Sequence, residues 1–221
     1  MVRIARVVAP EYPHHIIQRG NRRQQVFFRK EDYEEYLRLL KQYSIKYGLK
    51  VVSYCLMPNH VHLIVVPKQK ESLAQAIGET HRNYTTIINR REKWTGYLWQ
   101  GRFHSYVLDE NYLIAAVRYI LLNPVRARIV KEAEEYAWSS VKVHLGEEKS
   151  SIVEDGLLKE YINDWNNFLK SETSTNEIEE LRKHEKTGRP LGNDGFIVGL
   201  EKILKVRLRK QKPGRKKSDQ R

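Results

Sequence analysis

Two β-rich runs, residues 50–57 (KVVSYCLM) and 60–67 (HVHLIVVP), are separated only by Pro58 and Asn59. So short a connection cannot carry the chain across to a parallel neighbour, so the runs pair as an antiparallel hairpin. Both are dense in β-branched residues, which suit a pleated surface. The hairpin constrains its flanks. Residues 14–19 (HHIIQR) read as a strand before the turn signal Gly20-Asn21. Residues 30–47 carry Tyr33, Tyr36, Leu37, Leu40 and Tyr43 at helical spacing, with Gly48 as the stop. Residues 72–91 read as a second helix, with Ser72 as N-cap and Leu73, Ile77, Tyr84, Ile87 and Ile88 on its apolar side. Residues 102–108 (RFHSYVL) give a fourth strand. Residues 111–122 give a third helix, stopped by Asn123-Pro124.

The order β-α-β-β-α-β plus one more helix predicts an α+β fold, a ferredoxin-like antiparallel sheet with helices on one face. This domain is expected over residues 1–145. A helical, basic extension is expected over 146–208: one amphipathic helix at 154–169, a linker at 171–176, and helices at 177–186 and 194–208. The last two, around a glycine-containing turn, suggest a small helix-turn-helix. Residues 209–221 (RKQKPGRKKSDQR) read as a basic tail, disordered until bound.

Charge points to a partner. The chain has 40 Lys and Arg against 27 Asp and Glu, a net charge of +13. Residues 181–221 hold 14 of the basic and 4 of the acidic residues, so +10 sits in the last fifth. Such a block serves as a nucleic-acid arm or is a solvated tail. No apolar run approaches the ~20 residues that span a bilayer. The opening MVRIARVVAPEYP lacks the apolar centre of a signal peptide, so a cytoplasmic protein with no membrane partner is expected. Cys55 is the only cysteine, which excludes an internal disulfide and a cysteine-rich zinc site.

Within the hairpin, His60 and His62 are two residues apart, so in a strand both imidazoles point the same way. Two neutral imidazoles suit a divalent metal. Two polar residues on an exposed strand face fit the same pattern. On the third helix, Tyr119 and Asn123 are one turn apart, at the edge of the stripe formed by Leu113, Ala116, Val117 and Ile120. Asn123 could supply a carbonyl oxygen and Tyr119 a phenol. With 13 tyrosines in the chain, the residues alone favour Tyr119 as a packing aromatic with its hydroxyl in water.

The segment YCLMPNHVHLIVVP (54–67) resembles the His-hydrophobe-His (HUH) strand of single-tyrosine transposases. The segment LWQGRFHSYVLDENYLIAAVRYILLNPVRARIV (98–130) resembles the tyrosine helix of their REP-associated branch. HHIIQRGNRRQQVFF (14–28), YAWSS (136–140) and TGRPLGNDGFIVGLEKIL (187–204) are similar to the same branch. The resemblance implies that His60 and His62 are metal ligands, that Asn123 takes a third polar ligand position, and that Tyr119 is the nucleophile. Tyr112, two turns earlier, is the rival nucleophile. It further implies Mg²⁺ or Mn²⁺, and a single-stranded, hairpin-forming DNA cleaved through a 5′-phosphotyrosine. No nucleotide cofactor is expected, and both monomer and homodimer are compatible with it.

Arg19, Arg22, Arg23, Arg82, Arg102, Arg207, Arg209 and Arg215 are candidates for phosphate contacts. Trp94, Trp99 and Phe103 are candidates for base stacking or for the core. His104 is a candidate proton partner. A binding module that keeps the fold without cleavage, and an HUH enzyme of replication or plasmid transfer, are the competing readings. The second would be expected to carry a helicase or P-loop motif, and this sequence has none.

Overall fold

The computed structural model describes residues 6–154, 156–171 and 173–209. Four strands, β1 (His14–Arg19), β2 (Leu49–Met57), β3 (His60–Pro67) and β4 (His104–Val107), form one sheet of order β2-β3-β1-β4. Every neighbouring pair is antiparallel. The connections are α1 (Lys30–Tyr47) between β1 and β2, and α2 (Ser72–Glu92) between β3 and β4. This is the expected ferredoxin-like arrangement. The helix α3 (Glu110–Leu121) follows β4, then the single turns α4 (Asn123–Arg126) and α5 (Val141–His144). Four more follow: α6 (Gly156–Lys159), α7 (Trp165–Lys170), α8 (Thr175–Thr187) and α9 (Asp194–Leu204).

The central strands are buried on both faces, which explains why β3 reads as a nearly continuous apolar run. Val61, Leu63 and Val65 point into one core with Tyr36, Leu40, Leu73, Ile77 and Tyr84 of α1 and α2. Ile64 and Val66 point into a second core with Leu113, Ala116, Val117 and Ile120 of α3. Leu158, Phe168 and Leu181 of α6, α7 and α8 belong to this second core, so the C-terminal helices close the face that α3 opens. The crossover helices thus keep to one face, and the later helices cover the other.

Both sheet edges are capped, which removes open pairing surfaces. Beside β2, Leu56 N–H donates to Trp138 O at 2.8 Å and Ser140 N–H to Tyr54 O at 3.0 Å. Beside β4, Leu191 N–H donates to Val107 O at 2.8 Å and Asp109 N–H to Leu191 O at 3.0 Å. The segments YAWSS and RPLGN therefore act as edge covers.

Local expectations differ in four places. The helix expected over 194–208 ends at Leu204, where Lys205 takes a left-handed conformation. The Ser72 side chain does not cap α2; Glu71 is the N-cap, and the Ser72 hydroxyl accepts Gln69 N–H at 3.1 Å. The helix expected over 154–169 is broken into α6 and α7, because Asp164 caps a fresh start by accepting Asn167 N–H at 3.0 Å. Asn123-Pro124 ends α3 but does not end helical structure. Pro124 sits in the first turn of α4, where its missing N–H costs nothing.

Candidate active site

His60 and His62 enter from β3 on the α3 side of the sheet. Their ring centroids are 4.9 Å apart with planes at 83°. Across the sheet His62 faces Cys55 on β2 and Ile17 on β1, and His60 faces Met57 and Arg19. The phenol ring of Tyr119, from α3, meets His62 edge-on at 5.9 Å between centroids and 89° between planes. The short step from α3 into α4 sets Asn123 beside His60, with Asn123 Nδ2 3.3 Å from His60 Nε2. The two histidines, the tyrosine and the asparagine therefore form one cluster of side chains. Tyr112 does not join them. It lies in the first turn of α3, where Glu180, Asp109 and Glu177 surround it, and burial followed by these acids raises its pKa.

Hydrogen bonds fix how the imidazoles present themselves. Asn59 Nδ2 donates to Arg23 O at 3.2 Å, so its Oδ1 is the acceptor at 2.6 Å from His60 Nδ1. His60 therefore carries its proton on Nδ1 and leaves a bare Nε2 facing Asn123. His62 Nδ1 lies 2.9 Å from Nε2 of His15, a buried residue of β1. His15 Nδ1 in turn lies 2.7 Å from the hydroxyl of Tyr106 on β4.

All three rings are held neutral. Burial pushes the His60 pKa down to about 4, with Arg19 adding to it. Burial pushes His15 down to about 3. His62 falls well below its ordinary value through burial first, then through His60, His15, Arg126 and Arg19. Neutral imidazoles with free Nε2 lone pairs are the state that binds a metal. Two imidazole nitrogens and a neighbouring amide are a donor set of the kind that divalent ions take, and His60, His62 and Asn123 are the residues that could hold one. Among the described residues no group of three or more His, Cys, Asp or Glu is arranged to hold a metal ion, so the third ligand would have to come from outside those residue types. As placed, Asn123 directs its amide nitrogen at His60; offering its oxygen requires a half-turn of the amide.

A cation flanks the tyrosine. The Arg126 guanidinium lies 4.1 Å from the Tyr119 ring centroid and donates to Tyr119 O at 2.7 Å. Burial lowers its pKa, while Tyr119 acts in the opposite sense.

The predicted phosphate-binding arginines divide into groups. Arg19 lies at the rim beside His60, 3.8 Å from Glu185 of α8. Burial raises the Glu185 pKa despite Arg19 and the nearby Arg182 and Lys186. Arg22 and Arg23 are exposed in the following turn, both at positive φ. Arg82 and Arg102 line a groove of about 780 Å³ on the α2 side of the sheet, with Tyr97, Trp99 and Phe103. Arg82 is paired there with Glu79. Arg207 is exposed, and Arg209 pairs with Glu201 at 2.9 Å. Arg215 lies outside the described residues, as does most of the expected tail.

Of the aromatics, Trp99 and Phe103 are buried, while Trp94 is 43% exposed. Tyr97, which sequence reasoning passed over, is 86% exposed at the groove. His104 shares a cross-sheet row with His62, with Ile17 between them. Sequence reasoning also missed His15, Tyr106, Asn59, Arg126 and Glu185. The alternation of β1 could have flagged His15, which shares a strand face with Arg19. No helix among the described residues is long and apolar enough to cross a membrane.

Three comparisons bear on this arrangement. A family model described as "Transposase IS200 like" matches residues 9–123, just over half of the chain. A Haemophilus influenzae protein described as a REP-associated tyrosine transposase is 26% identical over 117 residues, covering 48% of this chain. The match spans 66% of that relative, just under two thirds of its length. A solved structure of a REP-associated tyrosine transposase bound to a REP hairpin matches with a TM-score of 0.57 and 18% identity. It covers 70% of this chain and 98% of that one, and at this identity the likeness carries the fold.

Proposed function

This chain belongs to the IS200-like transposase family, and we propose that it cuts and rejoins single-stranded, hairpin-forming DNA through a 5′-phosphotyrosine on Tyr119. The observation that carries this reading is the edge-on approach of the Tyr119 ring to His62, with two imidazoles and an amide beside it. The REP-hairpin partner of the structural relative supports a hairpin substrate.

The chemistry follows from the groups in place. In the cutting step the Tyr119 hydroxyl oxygen bonds to phosphorus, and the bond from phosphorus to the 3′ oxygen breaks. The phenol gives up a proton and the departing 3′ oxygen takes one, so a 3′-hydroxyl and a tyrosine-linked 5′-phosphate remain. That linkage keeps the energy of a diester, so a second 3′-hydroxyl can attack it and rejoin DNA without a nucleotide cofactor. A free phenol has a pKa near ~10, so at neutral pH it needs help. Arg126 over the ring and Arg19 at the rim supply positive charge where negative charge grows. A Mg²⁺ or Mn²⁺ ion held by His60, His62 and Asn123 would act as a Lewis acid on a non-bridging phosphate oxygen. The groove carrying Arg82, Arg102 and Tyr97 gives flanking single strand a basic and aromatic track.

The test incubates a hairpin oligonucleotide with flanking single strand, Mn²⁺ and the protein, and resolves the products on a denaturing gel. Wild type should shift to a covalent adduct and Tyr119→Phe should not. Tight binding without adduct from wild type, under either metal, would leave a binding module instead.

A further inference from the structure

The hydrogen-bond chain that begins at His62 does not end at His15. His15 Nδ1 lies 2.7 Å from Tyr106 Oη, and Tyr106 Oη donates to Leu181 O at 3.2 Å. A phenol has one proton, and a carbonyl can only accept. Since Tyr106 spends its proton on Leu181, its oxygen must accept from His15 Nδ1–H. A neutral imidazole has one N–H, so His15 Nε2 is bare and must accept. The donor to it, at 2.9 Å, is then Nδ1–H of His62. His62 is left with an unprotonated Nε2. One backbone carbonyl on α8 thereby fixes the protons on three side chains from three adjacent strands.

From this geometry we infer that His15, oriented by Tyr106, is the positioning residue that locks His62 in the tautomer with Nε2 free for a metal ion. This rests on the reading of His60 and His62 as metal ligands and assigns a purpose to a buried residue outside that ligand set. In water, neutral imidazole can carry its proton on either nitrogen, and a ring protonated on Nε2 cannot ligate through it. Second-sphere partners of metal-binding histidines contribute in this way. His60 has its own lock in Asn59, so the two rings are set independently. The relay also ties the site to α8, because the last acceptor, Leu181 O, is on that helix.

The experiment reads the tautomer directly. Nitrogen-15 NMR of the histidine-labelled, metal-free protein should show His62 protonated at Nδ1 and bare at Nε2. His15→Phe removes the acceptor and keeps a ring in the cavity, so His62 should shift toward the Nε2–H tautomer. Mn²⁺ affinity, measured by electron paramagnetic resonance, should fall by about 10–100-fold. His15→Gln, whose Oε1 can accept from His62, should restore most of both readouts. Tyr106→Phe keeps the fold-filling ring and should mix the His62 tautomers. Nε2–H on His62 in wild type overturns the inference. So does unchanged Mn²⁺ affinity in His15→Phe with an altered tautomer. Wild type that shows the expected tautomer yet binds no Mn²⁺ overturns the metal reading and removes the relay's purpose.

Discussion

The His62 imidazole and the Tyr119 phenol stand perpendicular, 5.9 Å between ring centres, one borne on a strand and the other on a helix that packs across it. Neither element alone creates that meeting. It depends on the registry of β3 against its neighbours and on where α3 begins, and each can be perturbed separately.

The start of α3 is set by Asp109. Its carboxylate accepts Tyr112 N–H at 2.9 Å as the N-cap, and Asn193 N–H at 3.0 Å from the segment that covers the β4 edge. Asp109→Ala removes both bonds. The loss should be about 1–2 kcal/mol of stability, the usual range for a helix cap. Denaturant unfolding would measure it, and an unchanged midpoint would show that the helix is anchored elsewhere.

The two candidate ligands differ in burial. His62 is 2% exposed, whereas His60 is only half-buried. His60→Ala should therefore keep the fold, lower Mn²⁺ affinity by about 100-fold or more, and leave hairpin binding in metal-free buffer within a few-fold of wild type. Isothermal titration with each ligand separates these effects. Equal losses for metal and DNA would mean that the fold has been damaged.

Five histidines have pKa values lowered chiefly by burial: His14 to about 4, His15 to about 3, His60 to about 4, His81 to about 3, and His62 well below 6.5. In each case the unfolded chain binds a proton at a higher pH than the folded chain does. Between pH 6.5 and about 4 the unfolded state therefore holds more protons, so stability rises with pH across this window. Above 6.5 these groups contribute no slope. Unfolding free energy measured from pH 4.5 to 8 should climb and then level off near 6.5. A flat profile below 6.5 would mean that the rings are not held neutral.

Glu185 holds Arg19 at 3.8 Å, in competition with any phosphate that Arg19 would bind. Glu185→Gln should release the guanidinium, tighten binding of single-stranded hairpin DNA and steepen the salt dependence by about one unit of slope. Fluorescence anisotropy at several salt concentrations measures this. Weaker binding would mean that Glu185 orients Arg19 and does not compete for it.

The legible parts of the fold were those written in local periodicity. The hairpin around Pro58-Asn59 and the tyrosine-rich face of α1 need no distant partner to be recognised. The His60–His62 pair was legible because alternation along a strand is fixed by backbone geometry. His15 was not, although it sits in a readable strand. Its partners, His62 and Tyr106, lie 47 and 91 residues away, and only the registry of β1 between β3 and β4 brings them together. Registry is a tertiary property, since a one-residue slip would turn His14 inward instead. The expected helix at 154–169 failed for a different reason. Its apolar spacing suits one helix, but the cap at Asp164 prefers a new start. The pairing of Arg19 with Glu185 was hidden for the same reason as the His15 relay, because it joins β1 to α8 across most of the chain.

The most direct test of the account is the identity of the tyrosine that carries DNA. After reaction with a hairpin oligonucleotide and Mn²⁺, nuclease trimming and trypsin digestion, cleavage after Arg118 separates Tyr119 in the peptide YILLNPVR from Tyr106 and Tyr112 in FHSYVLDENYLIAAVR. Mass spectrometry should find the residual nucleotide on Tyr119 alone. A nucleotide on the peptide that holds Tyr112, or on any other tyrosine, would contradict the assignment of Tyr119 as nucleophile.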